Sequence, residues 1–253
     1  ADGGLSSAMV ISDMFATRYP KAFGQLNQTL FRSLYPFEFE VQQVGLRIDH
    51  LAYALDGAPV DFFPGVPIRA VRSRQLTYLA GRLCAENALC HGGAQDIEHI
   101  GRGNAGEPIW PASWTGSISH TDNFAFAAVS RKVGRFAIGI DAEVIVDDQA
   151  QKAILEVCVN DTELCHMASE LYGTHMAATV LFAAKEAYYK AVYGAVQRFI
   201  DFHEVCLASL DLASGCFQIR PTAGTGIRSD LPVASGRFIV DDSLVMACVA
   251  PGY

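Results

Sequence analysis

The chain has 253 residues, of which 51% are hydrophobic and only 18% charged, with a formal net charge of −8. That composition excludes a disordered chain and leaves room for a substantial core, in one large domain or two small ones. The negative balance argues against nonspecific binding to nucleic acid or an anionic membrane, so any anionic ligand must be held by a local cluster of cations.

Seven cysteines stand at 84, 90, 158, 165, 206, 216 and 248, without C-x-x-C spacing. An odd, scattered set fits reduced thiols better than a disulfide frame or a zinc site. No apolar run reaches the length of a membrane span, and the start, Ala1-Asp2-Gly3-Gly4, has no basic region followed by an apolar block. The expectation is a cytoplasmic protein.

In chain order, residues 1–35 mix short apolar patches with Ser, Asn and Gln and give no clear element. Alternation at Phe37, Phe39 and Val41 predicts strands between Phe37 and Leu55, and Pro59, Pro64 and Pro67 then break the chain. A helix is expected from about Ala70 to Leu89, with Leu76, Leu79, Ala80 and Leu83 on one stripe. Glycines 92, 93, 101, 103 and 106 mark a loop ending in Glu107-Pro108-Ile109-Trp110-Pro111. Three strands are expected at Gly116–His120, Phe124–Val129 and Phe136–Ile140. Helices follow at Ala150–Val159, Thr162–Leu171 and Met176–Tyr193, and short strands between Glu204 and Val249. This segregated order predicts an α+β fold, with a boundary near 140–150 dividing the chain into halves 1–145 and 146–253.

Two acidic signals stand out. Asp141 and Glu143 have strand spacing, so they face the same side and converge on one point. Crowded carboxylates repel unless a proton or a hard cation lies between them, and magnesium takes a few carboxylates together with phosphate oxygens. The pair therefore reads as half of a cation–phosphate site. On the last long helix, Lys185, Glu186 and Lys190 are the only charges between Met176 and Tyr193. A solvated face would carry more, so the expectation is a buried-edge site using one carboxylate and two ammonium groups. The earlier helix carries Arg74, Tyr78 and Arg82 at i, i+4 and i+8, opposite the leucine stripe, an arrangement that suits phosphate. His120 ends Gly116-Ser117-Ile118-Ser119-His120.

Taken together, five blocks resemble the 4′-phosphopantetheinyl transferases, most closely the monomeric, double-length class. They are Arg74-Gln-Leu-Thr-Tyr-Leu-Ala-Gly-Arg82, Gly106-Glu-Pro-Ile-Trp-Pro111, Gly116-Ser-Ile-Ser-His120, Gly139-Ile-Asp-Ala-Glu143 and Phe182-Ala-Ala-Lys-Glu-Ala-Tyr-Tyr-Lys190. The resemblance covers residues 70–195 and implies two α+β halves related by a pseudo-twofold, with coenzyme A in the cleft between them. It also implies transfer of phosphopantetheine to a serine of an apo acyl, peptidyl or aryl carrier protein, releasing adenosine 3′,5′-bisphosphate. Asp141, Glu143 and Glu186 would hold magnesium, or manganese in its place, and Glu186 would take the serine proton. Lys190, Ser119 and His120 would contact phosphates, as would Arg102, and Arg74 and Arg82 would clamp the 3′-phosphate. Ala142 stands where some members carry a third acid, and Thr77 and Tyr78 replace the more usual Glu and Phe.

Two other readings stay open on the residues alone. One is a different metal-dependent phosphotransferase or phosphodiesterase using the same acids, although no Gly-rich Lys loop is present. The other is a non-catalytic coenzyme A or carrier-binding module. Arg198 and Phe199, just beyond the acidic helix, are expected to form part of a carrier-docking surface, since an acidic chain cannot rely on global attraction to an acidic carrier.

Overall fold

A computed structural model describes residues 41–57, 59, 60, 63, 65–95, 97, 99–222 and 230–251. Phe37, Phe39 and Pro64 lie outside the described residues. The protein is α+β, and its backbone contacts divide into two units, one ending at Lys132 and the other beginning at Val133.

The first unit holds β1 (Val41–Arg47), α1 (Ile48–Leu55), α2 (Arg72–His91), the short pair β2 (Gly101–Arg102) and β3 (Pro108–Ile109), β4 (Trp114–His120) and β5 (Phe124–Arg131). Strands β1, β5 and β4 form an antiparallel sheet with β5 in the middle. The expected strand pattern up to Leu55 gives way to a helix at Ile48. Ile48, Leu51 and Leu55 recur at helical spacing and are all buried, and Asp49 places an acid in the first turn, where the helix dipole favours it. Helix α2 lays Leu76, Leu79, Ala80, Leu83, Cys84 and Leu89 against Ala125, Ala127 and Val129 of β5. Gly81 permits that approach, because a Cβ there would come within 2.7 Å of the Ile118 side chain.

The second unit begins with β6 (Gly139–Val144). Three helices follow: α3 (Asp148–Val157), α4 (Asp161–Gly173) and α5 (His175–Val196). A 3₁₀ turn (Phe202–Glu204) then leads to β7 (Val205–Asp211), β8 (Cys216–Pro221), β9 (Ala234–Asp241) and β10 (Leu244–Val249). The sheet is antiparallel in the order β6-β10-β9-β8-β7. Each helix start has a side-chain cap: Asp147 accepts from Ala150 N, Asn160 and Glu163 form a capping box, and Thr174 accepts from Ala177 N. Gln197 ends α5 in the left-handed region at φ 49°.

Strand β6 differs from the expected Phe136–Ile140. It starts at Gly139 and carries Asp141 and Glu143 within its length, because pairing with β10 runs from Gly139↔Val249 to Val144↔Leu244. The division at 145 groups β6 with the first half, whereas its hydrogen bonds join it to the second unit. Successive residues alternate in facing, so Gly139, Asp141 and Glu143 share one face, and that face meets α5. A Cβ on Gly139 would overlap the Ala187 carbonyl of α5, and Ala137 N donates to Ala191 O at 2.9 Å. Helix α5 answers with small side chains, since Ala183, Ala184, Ala187 and Ala191 are all buried.

Gly139→Ala should therefore destabilise the protein by about 1–3 kcal/mol, since backbone cannot yield as a flexible side chain would. Gly194, an exposed position of α5 with open space at its Cβ, makes the contrasting case. Gly194→Ala should stabilise by about 0.5–1 kcal/mol through helix propensity. Urea denaturation of both variants checks the pair, and a Gly139→Ala protein as stable as the wild type would show that the close approach is not required.

Candidate active site

On the second unit, the face shared by β6 and α5 gathers Asp141, Glu143, Glu186 and Lys190. Glu186 and Lys190 are one helical turn apart and point the same way. Lys190 Nζ donates to Asp141 Oδ1 at 2.5 Å, with the aspartate almost fully buried and the lysine partly so. Burial pushes the Glu143 carboxyl up to about 7, helped by the neighbouring charges of Asp141 and Glu186 and opposed by Lys190. Burial and then Asp141 raise Glu186 as well, again against Lys190. Three carboxylates thus share a poorly solvated pocket with a single ammonium nearby, which leaves negative charge to be neutralised.

Lys185 does not join them. It is one residue, and so about 100°, round the helix from Glu186. Its ammonium is buried among Cys158 O at 2.7 Å, Glu163 Oε2 at 2.8 Å and Phe202 O at 2.9 Å. The expectation of two ammonium groups beside the acids is corrected to one, because the second is consumed by Glu163.

Oxygen donors of this kind suit a hard cation such as magnesium. Among the described residues, no three Asp, Glu, His or Cys side chains stand together as a formed ligand set. In this arrangement Asp141 meets the Lys190 ammonium. Asp141 nevertheless raises both Glu143 and Glu186, a repulsion that a cation would relieve, so the residues present fit one in chemistry.

On the first unit, Arg74 Nη1 lies 3.0 Å from His120 Nε2, at the exposed start of α2 and the end of β4. Ser119 beside it is buried. Arg102 lies on β2, exposed, with Gly106 close to its guanidinium. Arg82 is placed differently from Arg74. It is 6% exposed, its Nε donates to Ile100 O at 3.0 Å and its Nη2 to Gly101 O at 3.4 Å, while the guanidinium lies over the Tyr78 ring. Burial holds its pKa below the usual arginine range. One turn further on, buried Glu86 meets His99 Nδ1 at 2.6 Å and accepts from Ile100 N at 3.3 Å. Around Arg82 and Glu86 the polar face of α2 is therefore covered by residues 99–101, while Arg74 stays exposed. Glu86, His99 and Glu163 had no signal as site residues, although Asn160-x-x-Glu163 was readable as a helix start.

Of the expected docking residues, Phe199 is 71% exposed beside Tyr189, with ring centroids 6.2 Å apart. Arg198 is held by Glu204 at 2.9 Å and by the Phe199 carbonyl.

Two family models match in succession. The 4′-phosphopantetheinyl transferase N-terminal domain covers residues 67–130, and the 4′-phosphopantetheinyl transferase superfamily covers 137–241. The 4′-phosphopantetheinyl transferase Npt of Nocardia iowensis is 30% identical over 195 residues, 72% of this chain and 84% of that protein. The chain belongs to the 4′-phosphopantetheinyl transferase superfamily. PptT of Mycobacterium tuberculosis is 31% identical over 72% of this chain and 81% of its own length. The enterobactin synthase component D of Escherichia coli K12 is 36% identical over 48% of this chain and 56% of that protein. The superfamily model spans all four members of the β6–α5 cluster, and the N-terminal model spans Arg74, Arg82, Arg102, Ser119 and His120. Among the described residues, no helix of this transferase is long and apolar enough to cross a membrane.

The raised Glu143 sets a pH dependence. Between its ordinary 4.5 and about 7, the folded chain keeps a proton that the unfolded chain has released. This contribution favours the fold at low pH and is lost as pH rises through about 7. In the presence of a chelator, the melting temperature of Glu143→Gln minus that of wild type should therefore increase from about pH 5 to about pH 8. A difference that stays constant would place Glu143 in ordinary solvent. For the cations, Arg82→Ala should cost about 1–3 kcal/mol, because two carbonyls lose their donor, while exposed Arg74→Ala should leave the melting temperature nearly unchanged. Equal losses in the two variants would overturn the distinction.

Proposed function

We propose that the protein transfers the 4′-phosphopantetheine group of coenzyme A to a serine hydroxyl of an apo carrier protein, with magnesium, releasing adenosine 3′,5′-bisphosphate. The observation that carries this reading is the acid cluster on β6 and α5: Asp141, Glu143 and Glu186 in a partly buried pocket beside Lys190. A protein that only bound an anionic coenzyme would gain nothing from three carboxylates at its phosphates.

Asp141, Glu143 and Glu186 would hold the cation. A magnesium ion held there would supply charge neutralisation for the pyrophosphate. The serine oxygen forms a bond to the pantetheine-bearing phosphorus as the bond to the bridging oxygen breaks, and that oxygen leaves with the adenosine bisphosphate. Glu186, ionised, accepts the serine proton. Lys190, on leaving Asp141, donates to a phosphate oxygen. Arg74 and His120 hold the adenosine 3′-phosphate, joined by Arg102 and Ser119. Arg82 acts on this end through the turn that carries Arg102, since it is buried and places two of its five N–H donors on the carbonyls of that turn.

Intact-mass spectrometry of apo acyl, peptidyl and aryl carriers, after incubation with enzyme, magnesium and coenzyme A, tests the reading. Each accepted carrier should gain the mass of one phosphopantetheine. Asp141→Ala, Glu143→Ala and Glu186→Gln should each slow that gain by about a hundredfold or more, as should chelation. Coenzyme A cleavage without a carrier, or a Glu186→Gln protein at wild-type rate, would contradict the assignment.

A further inference from the structure

The Glu163–Lys185 pair is fully satisfied. Lys185 places its three N–H bonds on the Cys158 carbonyl, the Phe202 carbonyl and Glu163 Oε2, all within 2.9 Å. Glu163 Oε2 also accepts from Asn160 N at 3.0 Å, and Oε1 accepts from Leu207 N at 2.8 Å. Both side chains are sealed from water, at 1% and 0% exposure. Five pieces of chain thereby meet at this ion pair: the end of α3, the start of α4, helix α5, the 3₁₀ turn and β7.

A buried ion pair seldom adds net stability over well-packed apolar residues, because desolvation consumes most of the Coulomb attraction. Its contribution here is directional. Helix α5 meets the sheet largely through alanines, Ala183, Ala184, Ala187 and Ala191 among them, which allow close approach but interlock weakly. On that side, turning about the helix axis is opposed by single bonds, from Ala137 N to Ala191 O and from the Tyr188 hydroxyl to Pro232 O. Lys185 fixes that turn through three hydrogen bonds of fixed direction. The next residue is Glu186, and at a side-chain radius of about 5 Å a rotation of about 10° carries its carboxylate by about 1 Å. A misplacement of that size costs up to about a hundredfold in rate.

We propose that Glu163 and Lys185 are positioning residues of the transferase, setting the rotation of α5 and with it the approach of Glu186 and Lys190 to Asp141 and Glu143. The proposal rests on the transferase reading above. Neither residue touches the acid cluster, and neither takes part in bond making.

The test replaces the pair by apolar residues of similar size, Glu163→Leu with Lys185→Met, which removes both buried charges together. The double variant should stay folded but melt below the wild type, because the Asn160 and Leu207 amides and the Cys158 and Phe202 carbonyls lose their partners. It should show a KM for coenzyme A within about twofold and lose kcat by about tenfold or more, since orientation enters only the chemical step. Crystal structures of wild type and double variant should show the Glu186 carboxylate displaced by about 1 Å relative to β6, a reading that needs no turnover. A folded double variant with wild-type kcat and an unmoved Glu186 overturns the proposal. If the double variant fails to fold, Glu163→Gln decides, because it keeps the shape of the side chain while weakening the hold on Lys185. Its folded fraction should lose kcat without raising KM, and wild-type kcat there overturns the proposal equally. A wild type that modifies no carrier sinks the transferase reading separately, and the displacement of Glu186 still reports on the pair.

Discussion

The second unit depends on how close β6 comes to α5. Gly139 removes the side chain that would overlap the Ala187 carbonyl, and the backbone of Ala137 bonds directly to Ala191. Because strand residues alternate in facing, that contact also fixes which side of β6 the acids occupy. Gly139, Asp141 and Glu143 face the helix, while Ile140 and Ala142 are buried on the other side. A slip of one residue against β10 would turn both carboxylates away and present Ile140 and Ala142 to α5. The small-residue contact and the strand register are thus a single constraint, and the acid cluster follows from it.

A cluster of this kind works against the fold that carries it. Glu143 and Glu186 are both held toward the protonated state by burial and by Asp141, so ionising the site strains the metal-free protein. The proposed chemistry needs the ionised site. Stability of the metal-free chain and activity therefore pull in opposite directions with pH, and a cation, which favours the ionised acids, reconciles them. Lys190 relieves part of the repulsion through Asp141. Lys185, five residues earlier on the same helix, relieves none of it, because Glu163 already neutralises its charge in a network with no open donor. Two lysines of one helix serve opposite purposes: one stays partly solvated and exchangeable, the other is sealed.

The parts of the site that follow from the periodicity of a single element were legible in the sequence. Asp141 with Glu143 at spacing two, and Glu186 with Lys190 at spacing four, needed only the strand and helix repeats. What depends on a second element was not. Lys185 among alanines signalled an unusual charge, but its partner Glu163 lies 22 residues away and reads locally as the third helical residue of a capping box. It performs both tasks, and only one of them leaves a local pattern. The onset of β6 was misjudged because Phe136-Ala137-Ile138 is apolar enough for a strand, whereas the pairing with β10 decides where the ladder begins. At Ile48–Leu55 the same alternation of apolar residues fitted a strand and a short helix, and packing of Ile48, Leu51 and Leu55 selected the helix.

Helix α2 shows why a matching motif transfers residue identities more safely than roles. Arg74, Tyr78, Arg82 and Glu86 recur every four residues and form one stripe, so spacing alone treats the two arginines as equivalent. The segment 99–101 lies over the stripe at its C-terminal end and ends the equivalence. Beneath it, Arg82 donates to two carbonyls and Glu86 takes an amide and a histidine, which ties the turn before Arg102 to the helix at two points. At the open end, the exposed Arg74 meets His120 through Nη1 alone among the described residues, and on the proposed reading its other donors face an anion. A buried guanidinium held by two carbonyls contributes charge to a phosphate at a distance, whereas an exposed one contributes hydrogen bonds as well. In a chain of net charge −8, anion recognition has to come from such local donors. On the proposed reading, Arg82 serves that recognition by fixing where Arg102 stands.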